Sequence, residues 1–342
     1  MKLRALVPTA LAAAIAFAQP VAFLAQEAGR AAEILAAARK AIGGSKLDAM
    51  KTFSVQSSVQ RNAGSMQLNS DVEVVLDLPD KYLRSETPSG TSGGGMMVMA
   101  GSGVSGFNRD RALQKLAGGS MSGGMVIRMG AAGPSFGDDN KEKPTPEQLE
   151  QMNRTFVRNS QVEASRMMLG WFATAHPAAH AEYTFAGEAE SPDGKAYVID
   201  VKNADNFSAR LFIDEQTNLP LMVTYKGPQA RVMTAGGPGA LQQTAQGSGG
   251  GHVVTRNLSD MSDEERKKAL SDAEKQIQDM AKPAPVMVDY TIYFEEWREA
   301  DGVKFPFRIR RASGGTTSEE WTVNKIKVNP KVDPKRFATP TT

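Results

Sequence analysis

The residues with the types and spacing for chemistry are few, and each set lacks a part. Gly101-Ser102-Gly103-Val104-Ser105-Gly106 matches the GxGxxG dinucleotide fingerprint. That fingerprint works between a strand and a helix, where glycines let backbone N–H groups reach a pyrophosphate. Here Phe107-Asn108-Arg109 follows without a helical pattern, inside a run already rich in glycine. Gly133-Pro134-Ser135-Phe136-Gly137 matches GxSxG, but a nucleophile elbow needs a helix directly after the serine. Asp138-Asp139-Asn140-Lys141 reads as a solvated loop instead, and it lacks the glycine and closing glutamate of a calcium loop. His176 and His180 have the four-residue spacing of a helical metal pair. Pro177 stands between them and no acidic ligand is embedded, so they read as loop histidines. Glu295-Glu296 and Glu319-Glu320 are candidate acid–base pairs. Neighbours on a strand point to opposite faces, so neither pair is a dyad by itself. No catalytic residue, metal site or cofactor is expected.

The elements that would carry any site are mostly strands. Ala28–Ile42 is an amphipathic helix: Ala31, Ile34, Leu35, Ala38 and Ile42 form one stripe, with Arg30, Glu33, Arg39 and Lys40 facing away. Gly43-Gly44 ends it. Thr52–Arg61 and Met66–Asp77 read as strands, the second alternating through Val72, Val74 and Leu76. Leu78-Pro79-Asp80 breaks the pattern before Lys81–Arg84 resumes it. Thr145-Pro146-Glu147-Gln148 is a helix start, with a threonine cap and a glutamine three residues on. The helix, or pair of helices, runs towards Ala175; Leu149, Met152 and Phe156 stripe its start, and Met167, Met168, Trp171 and Phe172 make its end apolar nearly all round. A meander follows over Glu182–Glu190, Lys195–Lys202, Phe207–Asp214 and Leu219–Lys226. A last set of strands covers Val286–Arg298, Val303–Arg311 and Thr317–Val328. There, Val286, Val288, Tyr290, Ile292 and Phe294 share one face, and Phe305, Phe307 and Ile309 another, while Lys304, Arg308 and Arg310 lie opposite.

Two stretches depart from this regularity, at about 88–137 and 227–285. Both are glycine-rich and read as insertions. The first carries flexible, greasy methionines (Met96, Met97, Met99, Met121, Met125 and Met129); the second carries one helix, capped by Ser262-x-x-Glu265, with a narrow stripe of Leu270, Ala273, Ile277 and Met280.

The N-terminus reads as an export signal. Lys2 and Arg4 precede an apolar run from Ala5 to Ala18, and Ala16-Phe17-Ala18 has the small-x-small form of a cleavage site; Phe23-Leu24-Ala25 is an alternative. The run is short for a spanning helix. Cleavage after Ala18, or after Ala25, would free a mature chain whose residues 26–342 form a single domain in the periplasm. The chain holds 40 basic and 38 acidic residues. Losing Lys2 and Arg4 balances the charge (40 − 2 = 38), which argues against a nucleic-acid partner. There is no cysteine among 342 residues, so a fold of this length must be held by its core alone.

Several phrases, in order, resemble one family. Ile34-Leu35 through Ile42-Gly43-Gly44 and Leu47 come first, then Leu78-Pro79-Asp80-Lys81-Tyr82. Leu211-Phe212-Ile213-Asp214 with Thr217-Asn218-Leu219-Pro220-Leu221 follows, and Asp301-Gly302-Val303-Lys304-Phe305-Pro306 closes the series. Together they look like the LolA/LolB-type periplasmic lipoprotein-carrier superfamily, as a divergent member with insertions. The resemblance implies an α+β fold in which a mostly antiparallel sheet curves into an open half-barrel over helices. It also implies a non-catalytic function: binding or carrying lipid acyl chains or lipidated protein, with peripheral membrane contact. An envelope sensor that binds a protein partner is the alternative. The lining expected from strand alternation is Val72, Val74, Leu76, Tyr197, Ile199, Val201, Tyr290, Ile292, Phe294, Phe307 and Ile309, unless these simply pack on the helices. The family's carriers place an arginine that handles ligand directly before the strand-breaking proline; this chain has Leu78 there.

Overall fold

The stripe of the first helix is what anchors the molecule. Ala31, Ile34, Leu35, Ala38 and Ile42 are all buried, while Arg30, Glu33 and Lys40 are exposed. The computed structural model describes residues 19–63, 66–89, 103–116, 127–130, 133–136, 145–192, 194–205, 207–229, 233–236, 240–243, 262, 264 and 286–338. Within these, helix α1 spans Gln19–Ile42, beginning well before the Ala28 expected from the stripe, and α2 is the single turn Ser45–Asp48. Gly44 follows α1 at φ 52°, and the N–H groups of Gly43 and Gly44 both close on Arg39 O, as a glycine-terminated helix requires.

The first meander is β1 (Thr52–Ala63), β2 (Met66–Asp77), β3 (Lys81–Pro88), β4 (Gly103–Asn108) and β5 (Arg111–Leu116). Two small hairpin strands, β6 (Ile127–Gly130) and β7 (Gly133–Phe136), precede helix α3 (Pro146–Phe172). The second meander is β8 (Glu182–Ser191), β9 (Gly194–Lys202), β10 (Ser208–Asp214) and β11 (Pro220–Pro228). The hairpin β12 (Met233–Gly236) and β13 (Ala240–Gln243) comes next, and β14 (Met287–Ala300), β15 (Val303–Ser313) and β16 (Thr316–Val328) complete the strands of the described residues. Twelve of these form one sheet in the order β5-β4-β3-β2-β1-β16-β15-β14-β11-β10-β9-β8, every pairing antiparallel. The closure β1–β16 joins the two ends of the chain, and β5 and β8 remain as free edges. The fold is α+β: an open half-barrel with α1 and α3 in its concavity.

Its turns follow the residue chemistry. Asp301 and Gly302 both have positive φ (52° and 75°), as do Gly314 and Gly315 (55° and 82°), the geometry that two-residue hairpin turns need. The capping box at Thr145 forms in full: its hydroxyl accepts from Gln148 N, and the Gln148 side chain accepts from Thr145 N. From there α3 runs unbroken to Phe172, one helix and not two, and Ala173 closes it in the left-handed region.

One expectation needs correction. The stretch read as a glycine-rich insertion from 88 to 137 supplies β4 and β5 to the main sheet, where Phe107 is fully buried. The stripe that starts α3 is only partly covered, since Leu149 and Met152 are 53% and 41% exposed. The physical reason is where the helix meets the sheet. Asn153 donates to Asp110 O and accepts from Ala112 N at the β4–β5 turn, and the residues before it extend past that edge. The apolar end of α3 is buried as its composition requires.

The convex side carries a smaller cluster. Val75, Leu83, Leu113 and Phe337 pack there, with the short turn Pro334–Phe337 laid across β2 and β3. Arg336 pairs with Glu73 at 2.6 Å, and Phe337 O accepts from Asn108. That strap explains why Val75 is apolar on a face opposite to Val72, Val74 and Leu76.

Candidate functional site

Alternation sends one residue in two from each strand towards the helices. Val72, Val74, Leu76, Ile199, Val201, Ile292, Phe294 and Ile309 are all at or below 3% exposure and belong to one core cluster with α1 and α3. Tyr197, Tyr290 and Phe307 are half-buried against the same cluster. The residues of two separate meanders thus converge on one inner wall. Helical side chains cover much of it: Trp171 and Phe172 pack with Phe53 and Phe305 at ring-centroid separations of 5.0–6.2 Å. Gly170 lies so close to the Phe294 ring that any Cβ there would overlap it. The aromatic face of β14 fades along its length: Val286, expected on the same face, is 58% exposed, because it precedes the first paired residue, Met287.

An open cleft of about 350 Å³ remains beside the helices. Leu35 and Leu47 from α1 and α2, Met50, Leu78, Met168, Phe172 and Tyr183 give it apolar walls. Polar groups sit at its border. Arg39 pairs with Asp48 at 2.7 Å and reaches Phe172 O at 3.4 Å, and Tyr183 Oη accepts from Ala175 N at 2.8 Å. Leu78, the residue directly before the strand-breaking Pro79, is part of this wall. None of the residues expected to line a ligand site from alternation borders the cleft. It is built by the helices, the segments at Met50, Leu78 and residues 173–177, and Tyr183 at the start of β8, a combination that strand periodicity does not reveal.

At the opposite end the inner wall is charged. The inward row of β1 runs Phe53, Val55, Ser57, Val59 and then Arg61; β2 reaches Ser70, β3 Arg84 and Glu86, β15 Arg311 and β16 Glu319. Arg61 stands directly across from Glu319, bonding it at 2.9 Å, and Glu319 stands across from Arg311 on its other side. Arg61 and Arg84 both bond Glu86, and Ser70 donates to it at 2.7 Å. Glu163 of α3 accepts from Arg311 at 2.7 Å and lies 3.6 Å from Arg84. Burial by itself would raise the Glu319 carboxyl; Arg311, Arg84 and Arg61 outweigh it and hold the group at about 2. Glu163 is likewise held below the usual carboxylate range against its burial, by Arg311 and Arg84. Alternation did carry the signal, since these charges continue the inward parity of Val59, Trp321 and Ile309.

The chemical candidates resolve into structural roles. Gly103–Gly106 lies in strand β4, and a Cβ on Gly106 would collide with Tyr82 O, so that glycine serves strand packing. Ser135 lies in β7, paired opposite Arg128 in a small hairpin. His176 is fully buried; its Nδ1 accepts from Ala178 N and its ring meets Phe107 edge-on at 5.0 Å. Burial pushes it down to about 4, so it is neutral at pH 7. Glu319 faces inward and Glu320 outward to Arg308 at 2.9 Å, and Glu295 pairs with Arg310 on the outer face. Among the described residues, no three acids or histidines are grouped to hold a metal ion, and no helix is long and apolar enough to cross a membrane. Apart from Ser262 and Glu264, the helix read at Ser262–Met280 lies outside the described residues, as do the methionines Met96 to Met125 and the export signal.

No family model matches the chain, and no curated protein does. Solved structures do. A LolA superfamily protein from Nitrosomonas europaea is 9% identical, with 90% of this chain and 97% of that one covered and a TM-score of 0.44. A DUF1329 family protein from Desulfovibrio piger is 8% identical, covering 90% and 97%, with a TM-score of 0.41. A domain assigned to outer membrane lipoprotein sorting from Vibrio parahaemolyticus is 8% identical, covering 91% and 97%, with a TM-score of 0.42. The chain's own open twelve-stranded sheet over two helices has the form that the sequence resemblance implies.

Proposed function

We propose that this protein is a non-catalytic periplasmic binder or carrier of lipid acyl chains, free or on a lipidated protein. The observation that carries this reading is the cleft of about 350 Å³ between α1, α2, the end of α3 and Leu78, with apolar walls and a polar border. Its size falls within the range of small-molecule pockets. A methylene moved from water into such a wall gains about 0.8 kcal/mol, so a chain of several carbons binds without a charged group inside. Arg39 and Asp48 at the border suit a head group that stays wet. Export of the mature chain as one domain, after cleavage behind Ala18 or Ala25, belongs to the same reading.

The test is lipid binding by the mature protein. Gentle purification followed by native mass spectrometry is expected to find bound lipid, and adding a short-chain phospholipid is expected to raise the melting temperature. Leu78→Asp places a carboxylate on a half-exposed wall residue and is expected to abolish that rise while the apo protein still melts cooperatively. Lipid-free wild-type protein whose melting temperature ignores added lipid ends this reading.

A further inference from the structure

The charged end of the inner wall does not balance. Its carboxylates are Glu86, Glu163 and Glu319, and each accepts from Arg61, Arg84 or Arg311. Arg166, one turn beyond Glu163 on α3, is a fourth guanidinium against three acids. Its Cζ lies 3.6 Å from the centre of the Tyr225 ring, which stacks on Tyr290 at 5.2 Å with an interplanar angle of 11°. The tyrosine pair is held in place: Tyr290 donates to Pro228 O at 2.9 Å, and at Gly227 a Cβ would press on the Tyr290 ring at 3.2 Å. Arg166 Nε is buried and has no hydrogen-bond partner among the described residues, and no carboxylate there pairs with it. Burial pushes its pKa down, as expected of a cation short of counter-charge. A guanidinium partly withdrawn from water, stacked on a ring face and without a hydrogen-bonded counter-charge is costly, and its fork of N–H donors matches a carboxylate or phosphate two bonds at a time.

We infer that Arg166, set on the Tyr225–Tyr290 stack, is an oxyanion-binding site that takes a carboxylate or phosphate group. It stands independently of the lipid reading, since none of its residues borders the cleft. The oxyanion has two possible sources. One is an external anion. The other is this chain, for the segment between Gln229 and Val286 leaves and re-enters the sheet beside the tyrosines, at the pair Pro228–Met287, and contains seven acids from Asp260 to Asp279.

The experiment uses the mature protein with inorganic phosphate as probe, against chloride at equal ionic strength. Three further forms are compared: Arg166→Met, Arg166→Lys, and a chain with the seven acids changed to their amides. An external source predicts that phosphate raises the wild-type melting temperature by about 2 °C near tenfold saturation. An internal source predicts that only the amide chain responds. Under either, Arg166→Met removes the response from the responding form, and Arg166→Lys, which keeps charge but loses the fork, weakens it. Arg166→Met is expected to fold, because it removes a half-buried cation and keeps an apolar stem over Tyr225. If neither the wild type nor the amide chain responds to phosphate more than its Arg166→Met counterpart, the site does not exist.

Discussion

The inner wall has two ends built by the same alternation and held by different physics. At one end Phe53, Trp171, Phe172 and Phe305 pack ring against ring; at the other Arg61, Glu86, Arg84, Glu163, Arg311 and Glu319 occupy the same inward rows. Apolar packing tolerates an opening beside it, because a gap in a greasy wall costs only the contacts it forfeits. The charged end is held differently: Glu86, Glu163 and Glu319 each meet an arginine, and a gap opened among them would leave those charges short of counter-charge. The contrast teaches why the cleft lies at the aromatic end of the half-barrel, next to Met168 and Phe172, and why the charged end is bridged by Glu163.

The largest expected effect breaks the apolar end. Trp171→Ala removes a fully buried ring that touches Phe53, Phe172 and Phe305, and urea unfolding is expected to show a loss of about 3–5 kcal/mol. The matching change at the charged end is Glu319→Gln, which leaves Arg61 and Arg311 short of a counter-charge at a cost of about 3 kcal/mol. If that substitution proves as mild as a surface change, the charged end is solvated and the contrast fails.

Acid titration separates the ends further. His176 has a folded value of about 4 against an ordinary 6.5, so the unfolded chain binds the extra proton first. Stability is therefore full above about 6.5 and falls as pH drops towards 4, by about 3 kcal/mol in all. Glu319, held at about 2, contributes stability present above 4.5 that disappears as pH falls from there towards 2. Chemical denaturation at stepped pH is expected to show the first loss in Glu319→Gln but not in His176→Asn, and the second in the reverse pattern. The smallest effect belongs to the outer face. Arg210→Ala breaks a 2.7 Å pair with Asp200 whose arginine is 58% exposed, and a thermal melt is expected to move by less than the equivalent of about 1 kcal/mol.

Much of the frame was legible along the chain. The α1 stripe, the Thr145 capping box and the Asp301-Gly302 turn each rest on residues close in sequence, where periodicity and backbone preference act directly. Strands β4 and β5 were hidden, because glycine and serine give Gly103–Asn108 no alternation to read; only Tyr82 and the rest of β3 show that the segment is paired. Leu149 and Met152 show a different limit: a correct helical stripe says which residues share a side, not whether anything lies against it. The cleft was out of reach, since Leu35, Leu78, Met168 and Tyr183 come from four separate elements and share no period.

By itself the sequence determined most of the strands, helices α1 and α3, their turns and the inward rows outside β4 and β5, for these depend on neighbours one to four residues apart. Only the tertiary structure decided which inward rows meet, that Arg61, Glu319 and Arg311 stand side by side, and that Arg166 is left over. The reason is that the β1–β16 pairing joins residues more than 250 positions apart, and no local pattern encodes how charges are matched across such a join.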